Sequence, residues 1–222
     1  MKDPNDRLIY ESGLAFFGRL TAGVSHEMKN ILSILGELGG LLEDLSESAQ
    51  QGKGVPGERV RPIAERIGRA VARGDDQLKR LRHFAHSADD SRAARNLDEV
   101  VTEIVGLCQR LSILKKARLT VESPGGTPVT VVGVFSWYHL LYECIRIALE
   151  DAQPEDTVTV RVESQGPTAR IRIAASGGFR RDAMAKQAHL LAALAEELRV
   201  RIEPPGEGAR ESPLTIHLPA RS

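Results

Sequence analysis

The sequence predicts an α+β protein made of two parts. The first is a long N-terminal helical hairpin that pairs with a second copy as a dimeric four-helix bundle, and the second is a C-terminal α/β sandwich. Two observations predict this arrangement. Apolar residues recur in steps of three and four over residues 14–45 and 58–87, and after residue 94 short alternating runs are interleaved with helical ones. With 222 residues, 41% of them apolar, the chain is long enough for two packed units.

The first long helix is predicted over residues 14–45. Its apolar seam has ten positions, of which only the threonine is polar: Leu14, Phe17, Thr21, Val24, Met28, Ile31, Leu35, Leu38, Leu42 and Leu45. A sustained three-four repeat is typical of a helix packed along a narrow seam. With Leu14 at heptad position a, His26 falls at position f, farthest from the seam, and is expected to face water. Glu27 falls beside it at g, and Asn30 lies one turn further on nearly the same face.

A second helix is predicted from Glu58 to about Ser87, after a loop rich in glycine and proline. Its seam continues the same spacing: Val60, Ile63, Ile67, Ala70, Gly74, Leu78, Leu81 and Ala85. A single hairpin cannot cover both seams, whereas two hairpins can, so we predict a homodimer. We interpret His83 and His86, one turn apart without a third metal ligand, as surface residues.

The remaining chain alternates between helical and strand patterns. Helices are predicted over residues 97–116, 135–152 and 182–198, and strands over 119–122, 129–132, 157–163, 169–174, 200–203 and 214–218. Apolar and charged residues alternate in the middle strands, which predicts a sheet with one solvated face. We therefore place the domain boundary after residue 93, giving a hairpin over 1–93 and an α/β domain over 94–222.

Composition excludes several classes of protein. Lys and Arg together number 30, as do Asp and Glu, so the net charge is zero and the electrostatic argument for nucleic-acid binding is absent. No apolar run approaches the ~18 residues of a membrane span, and the polar start has no secretion-signal core, so we expect a soluble, cytoplasmic protein. Cys108 and Cys144 are isolated from each other and are expected to be buried and unreactive.

Residues 17–30, Phe-Gly-Arg-Leu-Thr-Ala-Gly-Val-Ser-His-Glu-Met-Lys-Asn, resemble the phosphoacceptor box of bacterial sensor histidine kinases. In that family a dimerising helical hairpin precedes an α/β ATP-binding domain, and the same order covers nearly the whole chain here. The resemblance implies that His26 carries the phosphoryl group and that Glu27 is its acid/base partner. It also implies that Asn30 corresponds to the residue that orients a hydrolytic water in relatives acting as phosphatases. A neutral imidazole is a suitable nucleophile near neutral pH.

The second domain departs from the family at its nucleotide site. The helix over 137–152 contains no asparagine. Other residues stand where the family has its metal-binding asparagines: Glu143 or Cys144, and Ile147 or Ala148. The stretch 174–179 lacks the family's adenine-binding aspartate, and no glycine box precedes residues 188–191. We therefore expect a degenerate ATPase-like domain with no cofactor of its own, and Mg²⁺ supplied by a partner.

A histidine box beside a degenerate ATP site resembles the dimeric histidine phosphotransferases, which share the kinase architecture without using ATP. The leading hypothesis is therefore a two-component phosphorelay protein that passes phosphoryl groups between receiver-domain aspartates through His26. Response regulator receiver domains are the expected partners, and their predicted footprint lies on both helices: Lys29, Ser33, Glu37, Arg69 and Arg73.

Three alternatives remain. A response regulator phosphatase would use Glu27 and Asn30 to position a water, and a non-catalytic dimeric adaptor or pseudokinase would not use His26 at all. An ATP-dependent kinase is disfavoured by the missing nucleotide-site residues. Nucleic-acid binding is disfavoured because the scattered arginines of the second helix are explained by a solvated face.

Overall fold

The protein is represented by a computed structural model, and most of the chain is described. The described residues are 3–52, 54–55, 57–89, 92–123, 125, 127–150, 152–165, 168–179, 181–206 and 213–219. They form an α+β protein with five helices and a mixed five-stranded sheet.

The chain divides into two compact units. The hairpin unit is Thr21–Arg82, and the sheet unit combines Met1–Leu20 with His83–Ser222. This division differs from a boundary after residue 93, because the first part of the N-terminal helix and the last part of the second helix pack with the sheet and its helices.

Two long helices span the hairpin unit. Helix α1 is Pro4–Gln50 and helix α2 is Gly57–Ser87. Helix α1 begins well before residue 14 because its first turn has its own start signal. The Asp3 side chain accepts a hydrogen bond of 2.8 Å from the backbone N–H of Asn5, and Pro4 occupies the first helical position, where proline is favoured. This first segment is polar, so it lacks the apolar periodicity from which the helix was predicted.

The sheet unit contributes three further helices and seven strands. In chain order these are β1 Arg95–Asn96, α3 Leu97–Leu114, β2 Arg118–Glu122, β3 Thr130–Val131, α4 Val134–Glu150, β4 Thr157–Gln165, β5 Thr168–Ala175, α5 Arg181–Leu198, β6 Arg201–Glu203 and β7 Leu214–Leu218. The large sheet has the order β2-β4-β5-β7-β6, with β2 and β4 parallel and the other neighbours antiparallel. Strand β3 pairs with the short strand β1, which the sequence pattern does not reveal, and not with β2.

The hairpin unit buries part of the predicted seam. Val24, Ile31 and Leu38 are buried on α1 as expected, but Leu42 is 36% exposed and Leu78 of α2 is 50% exposed. Two helices of one chain cover only one narrow strip of each other, so apolar residues at the margin of that strip stay in contact with solvent.

Within the sheet unit, an aromatic cluster changes which residues of α1 and α2 are buried, relative to the predicted seam. Leu14 is 59% exposed although it was predicted at the seam, while Phe16 is fully buried. On α2 the seam uses Phe84 and not Ala85. The rings of Phe16 and Phe84 meet edge to face with their centroids 5.3 Å apart, and Phe135 of α4 lies within 5.6 Å of Phe16 and 5.9 Å of Phe84. Burying these large rings removes more apolar surface from water than burying the predicted residues would.

The sheet has one buried face and one solvated face, as predicted. Along β5, Ala169, Ile171, Ile173 and Ala175 are buried, and the residues between them are partly exposed. On the solvated face Arg170 lies opposite Glu163 of β4, and the two side chains form an ion pair of 2.6 Å. Cys108 and Cys144 are buried and unpaired, and burial raises the pKa of both thiols well above its usual range. Within the described part of the chain, every helix is too short or too polar to cross a bilayer.

Candidate functional site

His26 lies on α1 in the hairpin unit, and its side chain is exposed. The helix is held in place around it, because Val24 on one side and Ile31 on the other are buried with 3% and 2% of their surface exposed. Asn30 is also exposed, and its four-residue spacing places it one turn away on nearly the same face. The hairpin therefore presents an imidazole and a carboxamide to solvent from a packed helix.

Glu27 does not share the exposure of His26. It is only 7% exposed and forms an ion pair with Arg73 of α2, whose side chain is about half exposed. A buried carboxylate without a cationic partner is strongly unfavourable, and Arg73 supplies that partner from the neighbouring helix. The structure thus brings together two residues that the sequence assigned to separate roles. Among the contacts of the described residues, none joins the Glu27 carboxylate to the His26 ring.

A small residue lies where the two helices pack beside this ion pair. Gly74 follows Arg73 and is buried, and a Cβ at this position would lie 3.6 Å from Ile31 and 3.7 Å from Met28. In the sequence Gly74 looks like a weak point of α2, because glycine lowers helix propensity. Its packing against α1 explains why a small residue occurs there.

The other predicted partner-binding residues lie on the surface of the hairpin unit. Lys29, Ser33 and Glu37 of α1 are exposed. Arg69 of α2 is 70% exposed and lies 3.9 Å from Glu65 of the same helix. These four residues are accessible to a partner. Among the predicted site residues, Glu27 and Arg73 contact each other directly.

In the sheet unit, Glu143 is one of the two residues, with Cys144, that the sequence resemblance suggests in place of a metal-binding asparagine. It is 3% exposed, and its carboxylate accepts a hydrogen bond of 2.8 Å from Arg146 and lies 3.6 Å from Arg19. Ile147 and Ala148, one turn further along α4, are buried. Two guanidinium groups therefore compensate the charge of Glu143. No cluster of three potential metal ligands is found in the described part of the chain.

The glycines after β5 close a tight loop. Ser176 donates a hydrogen bond of 3.0 Å to Asp156 and accepts one of 3.0 Å from the backbone N–H of Thr157. A Cβ on Gly177 would lie 2.6 Å from an Asp156 carboxylate oxygen, so only glycine fits there without a shift. The contact with Asp156, a residue without a recognisable sequence motif, explains this glycine by packing.

Comparison with known proteins finds similarity to solved structures only. No known protein-family model matches the sequence, and no curated protein matches it. The solved structure of the histidine kinase AdeS from Acinetobacter baumannii matches with a TM-score of 0.50 and 12% identity, over 89% of this chain and 98% of that one.

The match to AdeS shows that the chain has a histidine-kinase-like fold. A histidine kinase from Burkholderia phymatum matches with a TM-score of 0.47 and 14% identity, over 93% of this chain and 98% of that one. A structure described as a bacterial phosphotransferase matches with a TM-score of 0.42 and 17% identity, over 90% of this chain and 95% of that one.

Within this histidine-kinase-like fold, a polar network forms around Glu103 of α3. Its carboxylate accepts hydrogen bonds of 2.8 and 3.0 Å from Arg95, lies 2.6 Å from the His83 ring and accepts a hydrogen bond from the Tyr138 hydroxyl. Burial alone would raise the pKa of Glu103, but these bonds lower it below its usual range. Of the two histidines predicted to be surface residues, His86 is exposed, whereas His83 is only partly exposed because its ring packs against Glu103.

A second histidine is buried in the aromatic cluster. The ring of His139 on α4 stacks on Phe16 with centroids 4.9 Å apart and planes inclined by 5°. The residue is 1% exposed, and its Nε2 atom has no hydrogen-bond partner among the described residues. Burial, together with the nearby charge of Arg19, lowers the pKa of His139 to about 4.

This buried histidine predicts a loss of stability in acid. Because the pKa of His139 falls from 6.5 in the unfolded chain to about 4 in the folded one, the unfolded state binds more protons between these values. The neutral ring's contribution is complete above pH 6.5 and is lost as the pH falls towards 4. Over that window we expect the free energy of unfolding to drop by about 3 kcal/mol more in the wild type than in His139→Phe. Urea unfolding at a series of pH values checks this, and parallel profiles for the two proteins would contradict it.

Proposed function

We propose that the protein is a histidine phosphotransfer protein of a two-component phosphorelay, which passes phosphoryl groups between receiver-domain aspartates through His26 without using ATP. The observation that carries the proposal is an exposed His26 on a packed helix, directly beside a Glu27 that Arg73 ties to the neighbouring helix. A rigid helix presents a nucleophile in one orientation, which favours in-line transfer.

The transfer takes two steps. A neutral imidazole nitrogen of His26 attacks the phosphorus of a receiver's aspartyl phosphate, so that an N–P bond forms and the P–O bond to the aspartate breaks. The aspartate leaves as a carboxylate, and the second ring nitrogen keeps its proton. The carboxylate of another receiver then attacks the phosphorus and the N–P bond breaks, returning neutral His26. Mg²⁺ brought by the receiver compensates the charge on the phosphoryl oxygens.

Glu27 and Arg73 have complementary roles in this proposal. The phosphorylated imidazole carries a positive charge, which a neighbouring carboxylate stabilises. Glu27 supplies the carboxylate, and its ion pair with Arg73 holds it in place while it is shielded from water. The remaining footprint of the receiver consists of exposed residues on both helices: Lys29, Ser33, Glu37 and Arg69.

The ion pairs of Glu143 support a function that does not use ATP. A metal ion at this position of α4 would have to compete with Arg146 and Arg19 for the carboxylate. One turn further on, Ile147 offers only an apolar side chain. Both features weaken the site at which the resembled kinases hold Mg²⁺ and ATP.

Exposed apolar side chains on the hairpin unit support a homodimeric four-helix bundle. Both helices carry them: Leu32 at 62% exposure, Leu41 at 44%, Leu42 at 36%, Val71 at 54% and Leu78 at 50%. Apolar residues spaced along two adjacent helices are the usual signature of a further packing partner. A second copy of the hairpin would remove them from water.

A phosphatase is the second candidate, because Asn30 is exposed one turn from His26. A carboxamide there could orient a water towards a receiver's phosphoaspartate. In that reading His26 would not hold the phosphoryl group, and the receiver would lose its phosphate as inorganic phosphate.

Asn30→Ala separates the two functions. If the protein transfers phosphoryl groups, we expect the variant to label His26 from a phosphorylated receiver at a rate within about threefold of wild type. If it is a phosphatase, release of inorganic phosphate should fall by ~10²-fold or more. Radiolabelled receiver provides both readouts in one reaction, and Gln50→Ala, which removes an exposed carboxamide of α1 outside the predicted footprint, is the matched control. The transfer mechanism would be contradicted if His26 lost its label in Asn30→Ala but kept it in the control variant.

A further inference from the structure

The sheet unit contains a groove that the proposed function does not use. It has a volume of about 850 Å³ and lies between the first turns of α1, the start of α4 and the end of α5. Its apolar lining includes two residues with unusually large exposure, Tyr10 at 56% and Leu14 at 59%. Phe17 and Phe135 continue this apolar surface. Apolar side chains gathered in a concave surface are characteristic of a binding site.

The rim of the groove is acidic. Its lining includes four carboxylates and, among the described residues, neither lysine nor arginine: Asp3, Asp6, Glu196 and Glu197. Asp3 accepts a hydrogen bond from the backbone N–H of Asn5, and Glu197 accepts one of 2.7 Å from the Ser136 hydroxyl. Within the described part of the chain, none of the four forms an ion pair. Among the described residues, no side-chain cation offsets the negative charge of the rim.

The two glutamates are in positions that their own helix does not favour. Glu196 and Glu197 lie in the last turn of α5, where the helix dipole is negative and where acidic side chains reduce stability. That turn contains no basic residue to offset them. The aspartates at the start of α1 are explained by the helix N-terminus, but these glutamates are not. A cation supplied from outside the chain would explain them.

We propose that this groove binds a basic amphipathic helix of a partner protein. The apolar side of the helix would pack on Tyr10 and Leu14, and its lysine or arginine side chains would contact Glu196, Glu197 and Asp6. Helix-in-groove recognition uses this combination of an apolar stripe and flanking charges. The choice of a basic helix follows from the uniformly acidic rim, and it does not depend on phosphotransfer through His26.

A pair of designed peptides tests the proposal on the full-length protein. The probe is a fluorescent helical peptide of about 16 residues, with leucines on one face and lysines on the other. The control peptide has the same sequence with glutamates in place of the lysines. We expect the lysine peptide to bind with a Kd of roughly tens of micromolar, and the glutamate peptide to bind at least ~10-fold more weakly, by fluorescence anisotropy. Equal binding of the two peptides would overturn the proposal.

Substitutions locate the binding on the protein. Leu14→Ser and Glu196→Gln should each weaken binding of the lysine peptide by about fivefold or more. Glu196→Gln should also raise Tm by about 1–3 °C, because it removes a charge from the negative end of α5. The control is Ile113→Ser, which changes a side chain that is 56% exposed on α3 and outside the groove lining, and it should leave binding unchanged.

Two results with these variants would overturn the proposal. One is unchanged peptide binding in both Leu14→Ser and Glu196→Gln. The other is a change of oligomeric state in Leu14→Ser with peptide binding unaffected, since that result would assign the groove to a second copy of the chain.

Discussion

Replacing His26 with alanine will abolish label transfer from a phosphorylated receiver, lowering the rate by ~10³-fold or more. The imidazole is the only group in the proposed mechanism that bonds to phosphorus, so no neighbouring residue can substitute for it. Because the ring is exposed, its removal should change the free energy of unfolding by less than about 0.5 kcal/mol. The measurement is acid-labile radiolabel on the protein after mixing with a labelled receiver, together with urea unfolding of both proteins.

His86→Ala is the matched control for this experiment. His86 is also an exposed helical histidine, with 73% of its side chain accessible, and it lies outside the phosphoacceptor box. The control should accept label like the wild type. Label that persists in His26→Ala would exclude His26 as the phosphoacceptor. A variant that receives no label yet regulates its pathway normally would favour the adaptor instead.

Replacing Phe84 with alanine will cause the largest loss of stability among the substitutions considered, about 3–5 kcal/mol. The ring is fully buried, and its centroid lies 5.3 Å from Phe16, 5.2 Å from Phe17 and 5.9 Å from Phe135. Alanine would leave a cavity among aromatic side chains that belong to two other helices, α1 and α4. We expect Tm to fall by about 6–20 °C, which differential scanning calorimetry measures directly.

Leu114→Ala is the control for Phe84→Ala. Leu114 is a large apolar residue that is 65% exposed at the end of α3, so its truncation should cost less than about 0.5 kcal/mol. Similar Tm values for Phe84→Ala and the wild type would mean that the aromatic cluster does not hold α1, α2 and α4 together as described.

The sequence predicted the order and type of the main elements because each has a strong local pattern. The bounds of β7 and the ends of α2 and α5 agree with the pattern of apolar residues and with flanking breakers. The sequence pattern places Leu14 and Ala85 at the seam, so it does not predict that Phe16 and Phe84 are the buried residues. Contacts with aromatic residues of α4, which lies far along the chain, decide between the two registers.

The candidate site was predicted only in part, for a similar reason. The exposure of His26 follows from its heptad position, but the burial of Glu27 does not, because an isolated glutamate at g is normally solvated. Its burial requires Arg73, which is adjacent only after the hairpin folds. The Glu103 network joins residues from α2, β1, α3 and α4, and no sequence spacing indicates it.

The source of the phosphoryl group is the most direct test of the proposed function. The purified protein is incubated in two parallel reactions with Mg²⁺, one with radiolabelled ATP and one with a radiolabelled, phosphorylated receiver, and label on His26 is measured. We expect label from the receiver and none from ATP. Label from ATP in the absence of a receiver would contradict the proposal and make the protein a kinase.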